Sequence, residues 1–101
     1  MIYEIFITPS ALSDISEGVD YYNTKAKDLG YKFADDIENN FRIISLNPKV
    51  FSIRYKNVRG KLLKKFPFLI LYIENEKLKS IEVLRVFNTF QNQFWKAGKR
   101  F

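Results

Sequence analysis

The 101-residue chain has no cysteine and no histidine. Without cysteine there is no disulfide framework, thiolate ligand or thiol nucleophile, and a reducing cytoplasm fits. Without histidine as well, zinc sites of the usual kind, Ser/His/Asp and Cys/His catalysis and an imidazole base are all excluded. No metal or other cofactor is expected, and any proton transfer would fall to lysine, tyrosine or carboxylates. Long apolar runs are missing too. The longest, Phe66 to Ile73, falls far short of the roughly 20 residues that a bilayer-spanning helix needs. The opening MIYEIFITPS has no basic start followed by an apolar core, so no signal peptide is expected. These absences predict a soluble, cytoplasmic chain without a membrane partner.

What is present is an apolar fraction of 47%, enough for one core and one domain over residues 1–101, with a basic tail over residues 90–101. Charge is unevenly placed. Residues 1–50 hold five Lys/Arg against eight Asp/Glu, and residues 51–101 hold twelve against three. A basic half of this size points to a polyanionic partner, either nucleic acid or an acidic protein segment.

Local patterns order the chain. Tyr3 to Thr8 reads as a strand ending at an N-cap, because Thr8 precedes Pro9. Leu12, Ile15, Val19 and Tyr22 recur at helical spacing, with Ser13, Asp14, Ser16, Glu17 and Asp20 opposite, which predicts a helix over Pro9 to Asn23. A second helix is expected over Lys27 to Leu46, with Gly30, Phe33, Ile37, Phe41 and Ile44 on its inner stripe and Asn47-Pro48 stopping it. Strands are then expected over Ser52–Lys56, Lys61–Phe66, Phe68–Glu74 and Ser80–Phe87, with Asn57–Gly60 as a turn. Tyr21, Tyr22 and Tyr31 are expected to pack the helical hairpin. The fold class is therefore α+β, in the order β-α-α-β-β-β-β, with the hairpin on one face of a mostly antiparallel sheet. If Ile53 and Tyr55 face the helices, the intervening cations point to the open face.

Several landmarks in this order carry a resemblance: TPSALSDI, DYYN, LNP, YKNVRGKLLKKFPFLILY, and VLRVFN followed by FW. Val58, Arg59, Phe66, Pro67, Phe68, Ile70 and Tyr72 fill the most characteristic block. The sequence resembles the RelE/ParE superfamily of bacterial type II toxins. That resemblance implies a small basic growth inhibitor neutralised by a cognate acidic antitoxin. Its target would be either DNA gyrase, which is bound and poisoned, or messenger RNA, which is cut on the ribosome without a metal. Many relatives place a histidine, an arginine, a proline and a tryptophan after the last strand, where this chain has Asn88, Gln91, Gln93 and Trp95. Neutral amides cannot carry the protons that RNA cleavage by a neighbouring 2′-hydroxyl requires. The binding poison is therefore favoured over the nuclease.

Arg59 matches the arginine of the family block and is the first candidate, as a phosphate- or carboxylate-binding cation or as a structural arginine paired with a carboxylate such as Glu82. Arg54, Lys56, Lys61 and Lys64 surround it in sequence. In the nuclease reading the catalytic pair would be Arg59 and Lys61, working from the open face. Arg85, inside the apolar IEVLRVF, must reach that face or be paired. Trp95 is expected to anchor the tail to the sheet or to stack on a base.

Overall fold

Thr8 decides where the first strand becomes a helix. Its Oγ1 accepts from the Ala11 N–H at 3.1 Å, capping the helix, and donates to the Leu84 carbonyl at 2.9 Å. Its own N–H donates to the Val83 carbonyl at 3.1 Å. One residue thus ends the strand, starts the helix and ties both to the last strand. The structure, a computed structural model, describes residues 2–90. Its elements are β1 (Glu4–Ile7), α1 (Pro9–Lys25), α2 (Leu29–Leu46), a 3-10 turn (Pro48–Val50), β2 (Ile53–Tyr55), β3 (Val58–Leu62), β4 (Phe68–Asn75) and β5 (Ser80–Asn88). The sheet order is β1-β5-β4-β3-β2, with β1 parallel to β5 and every other pair antiparallel. This is the expected α+β arrangement. No helix of the described residues is long and apolar enough to cross a membrane.

The helices meet through a missing side chain. A Cβ at Gly18 would come within 2.5 Å of the Phe33 ring, so α1 approaches α2 closely only because glycine stands there. Asn23 Oδ1 accepts from the Gly30 N–H at 3.0 Å, satisfying a donor at the start of α2 from across the hairpin. Below lies an aromatic cluster. Phe33 sits 4.7 Å from Phe68, 5.2 Å from Phe66 and 5.2 Å from Tyr22 between ring centroids, and such pairs add roughly 0.5–1.5 kcal/mol each beyond the area they bury. Ile37, Phe41 and Ile44 of α2 continue the core over Ile70, Tyr72, Ile81 and Val83.

Three expectations change. The helices run two residues later at the hairpin, α1 to Lys25 and α2 from Leu29, because Asp28 takes a left-handed turn at φ 64° between them. Leu12, Tyr21 and Tyr31 are exposed, and of the three tyrosines Tyr22 alone packs against the core. Ile15, Val19 and Tyr22 do pack against the core as expected, and the small buried residues Ala11 and Gly18 complete the contact stripe of α1. The turn expected at Asn57–Gly60 lies earlier. Lys56 takes φ 51°, the chain reverses at Lys56–Asn57, and β3 already runs from Val58.

Candidate functional site

That shift of the turn decides where the cations point. Residues paired across an antiparallel ladder share a face. Arg59 pairs with Tyr72 and Lys61 with Ile70, and both partners belong to the core beneath the helices. Arg59 and Lys61 therefore face the helical layer, not the opposite face as expected. The reason is local. Val58, Gly60 and Leu62 occupy the other side of β3, and Val58 joins Leu69, Leu71 and Phe87 in a second small apolar cluster there.

Arg59 lies just past the end of α2. Its Nη1 donates to the Phe51 carbonyl at 2.8 Å and the Lys49 carbonyl at 3.1 Å. Tyr72 Oη donates to the Pro48 carbonyl at 2.5 Å. The 3-10 turn and the approach to β2 are thus held down by an arginine and a buried tyrosine from the sheet. Burial, and secondarily the charge of Glu74, push the Tyr72 hydroxyl up to about 12 against the opposing effect of Arg59. Arg59 meets backbone carbonyls and not the Glu82 carboxylate considered from the sequence.

Lys61 Nζ donates to Asn40 Oδ1 at 2.5 Å and lies 5.2 Å from the centre of the Phe51 ring. Desolvation first, then the neighbouring Lys64, lower its pKa, with Asp36 opposing. Asn40 is buried, and its Nδ2 donates to the Asp36 carbonyl at 2.7 Å. Asn40 was not singled out from the sequence. Its signal was a lone polar residue three positions after Ile37, on the inner stripe of an amphipathic helix, where a partner across the interface is required.

The remaining cations diverge. Arg54 crosses the opposite face, where a Cβ at Gly60 would lie 2.8 Å from its Cγ. Tyr55 pairs with Val58 after a register shift that turns it away from Ile53. Lys56 lies with its Nζ 5.4 Å from the centre of the Tyr55 ring. Lys64 is exposed in the β3–β4 connection. Arg85 is held at the far side of the sheet: its Nε and Nη2 donate to Asp14 Oδ2 and Oδ1 at 2.8 and 2.9 Å, and the Val86 N–H donates to Asp14 Oδ2 at 2.9 Å. Beyond Ile7, β1 no longer covers β5, and Asp14 from α1 takes over the exposed strand edge. The bond to Asp14 raises the Arg85 pKa, with Glu17 contributing. A groove of about 370 Å³ opens beside this pair, lined by Asp14, Glu17, Tyr21, Arg85, Phe87 and Asn88 among others. Asp14, expected on an outward polar face, is the residue that the sequence hid most completely. Arg59, Lys61 and Lys64 are thus brought to one side, while Arg54 and Arg85 are placed elsewhere. Trp95, Gln91 and Gln93 lie outside the described residues.

With this geometry the chain superimposes on a chain of the chromosomal ParDE TA system from P. aeruginosa with a TM-score of 0.75 and 19% identity, covering 86% of this chain and 96% of that one. It also matches a chain of the toxin-antitoxin complex RelBE2 from Mycobacterium tuberculosis, at a TM-score of 0.60 and 18% identity over 87% and 99% of the two chains. The chain has the RelE/ParE fold. No protein-family model and no curated protein matches the sequence. The RelE/ParE fold accounts for the helical hairpin laid over a sheet whose last four strands follow it in sequence.

Proposed function

We propose that the chain is the toxin of a type II toxin-antitoxin system, that it arrests growth by binding an essential protein target of the gyrase type, and that an acidic antitoxin neutralises it. The RelE/ParE fold, found in two toxin-antitoxin assemblies, supports the general reading. One observation supports binding over cleavage: Arg59, Lys61 and Arg85 each bond to groups of the protein itself. Cleavage of RNA would need cations aimed together at a phosphate, with a base and an acid beside them. From Phe51 to Ile73 the sequence has six Lys/Arg and no acidic residue, and this stretch is the proposed docking region for acidic segments, with the exposed Arg54, Lys56 and Lys64 as contacts.

A second reading has one specific support. Lys61 has a lowered pKa beside Lys64, which moves an amine toward the range in which it can act as a base. In that reading the chain cuts messenger RNA on the ribosome. Inducing the chain without its antitoxin, then scoring growth arrest, gyrase-linked DNA breaks and messenger cleavage, separates the two. Breaks with intact messenger support the proposal, and cut messenger with intact DNA overturns it.

A further inference from the structure

β1 is an edge strand whose outer side is unused. Its even-numbered donors turn inward to β5: the Glu4 N–H donates to the Lys79 carbonyl at 2.9 Å and the Thr8 N–H to the Val83 carbonyl at 3.1 Å. Because successive residues of a strand point their backbone groups to opposite sides, the N–H and C=O of Ile5 and Ile7 point outward. Among the described residues, none pairs with β1 on that side, and the Tyr3 N–H, just before the strand, is taken by the Ser45 carbonyl at 2.9 Å.

Proteins usually blunt such an edge with lysine, proline or a bulge. β1 has none of these: its sequence is EIFI, its register with β5 is regular, and Glu4 is its one charge. Large apolar side chains flank it. Ile2 is 69% exposed, Phe6 54%, and Leu46 at the end of α2 57%. The bond from Tyr3 to Ser45 brings the end of α2 to the start of this edge.

We infer that β1 pairs antiparallel with β1 of a second copy of this chain, across a two-fold axis at Phe6. That register sets Ile5 opposite the second copy's Ile7, so the outward groups of both residues make four backbone hydrogen bonds. The two Phe6 rings face each other in a non-hydrogen-bonded pair, where side chains are closest and aromatic pairing is favourable. Glu4 lies opposite Thr8, so no carboxylate opposes its own copy. A register centred on Ile5 would instead require Tyr3, whose donor is committed. The two five-stranded sheets would become one of ten strands. A self-contact here leaves the cationic strands free for a different partner.

The absence of cysteine makes the register directly testable. Residues facing each other in such a pair have Cα atoms about 4.5 Å apart, within disulfide reach. Sedimentation of the full chain over a range of concentrations should show a monomer–dimer equilibrium, and Phe6→Lys, folded by circular dichroism, should remain monomeric throughout. Phe6→Cys should form a disulfide-linked dimer under mild oxidation. Glu4→Cys and Tyr31→Cys, the latter on the helical hairpin, should not. A wild type that stays monomeric at every concentration overturns the inference. So does a dimer that Phe6→Lys leaves intact, or cross-linking no faster at position 6 than at position 31. If the isolated chain is monomeric and Phe6→Lys weakens capture of the acidic antitoxin, the edge belongs to that partner and self-pairing is wrong.

Discussion

Replacing Arg59 by alanine separates a structural clamp from a working cation. The guanidinium donates to the carbonyls of Phe51 and Lys49 at 2.8 and 3.1 Å, and these bonds fix the passage from α2 to β2. Hydrogen bonds to a charged group contribute about 1.5–3 kcal/mol each when protected. The Phe51 bond is part-buried and the Lys49 bond exposed, so the lower end of that range for the first and little for the second gives about 2 kcal/mol in total. In a chain of this length, a loss of about 2 kcal/mol lowers Tm by roughly 8–16 °C. Arg59→Lys should recover part of the loss, since one ammonium can reach one carbonyl. Thermal and urea unfolding followed by circular dichroism measure both variants. A folded Arg59→Ala with unchanged Tm but abolished growth arrest would refute the clamp and make the arginine a contact for target or substrate.

Gly18→Ala should cost about 1–3 kcal/mol, as overpacking does, because the new methyl meets the Phe33 ring at 2.5 Å; a chemical denaturation midpoint equal to wild type would show that the helices can separate freely. Asp14→Ala should cost about 2–4 kcal/mol by leaving the Val86 N–H and the Arg85 guanidinium without their acceptor, and Asp14→Asn should cost less; equal unfolding curves for all three would count against the edge cap. Burial pushes the Tyr72 hydroxyl up to about 12 from its ordinary value of 10.0. A raised tyrosine pKa means that the folded state keeps its proton longer, so its contribution is present below pH 10 and is lost as pH rises from about 10 to about 12. Stability measured across that window should fall less steeply in Tyr72→Phe than in wild type, and parallel slopes would contradict the assignment.

The start of α1 and the end of α2 were legible because they rest on local chemistry. Thr8-Pro9 and Asn47-Pro48 mark helix boundaries through capping and through the missing proline donor, and the stripe of Gly30, Phe33, Ile37, Phe41 and Ile44 marks the buried face of α2. The faces of β3 were not legible. In VRGKL the cations alternate with apolar residues, and nothing within the segment says which set lies under the helices. The left-handed turn at Lys56 and the partners Asn40, Lys49 and Phe51, all outside the strand itself, settle it. For the same reason Asp14 read as a solvent residue: its acceptors serve Arg85 and Val86, some seventy positions away. Positions beyond Phe90, including the Trp95 singled out from the sequence, lie outside the described residues.

Inhibition by binding a gyrase-type target is the proposal on which the functional reading turns. Supercoiling of relaxed plasmid by purified gyrase, with the purified chain added in increasing amounts, tests it most directly. The account predicts progressive loss of supercoiling, unaffected by Lys61→Met at saturation and reversed by the acidic partner. Full supercoiling at saturating chain would contradict it.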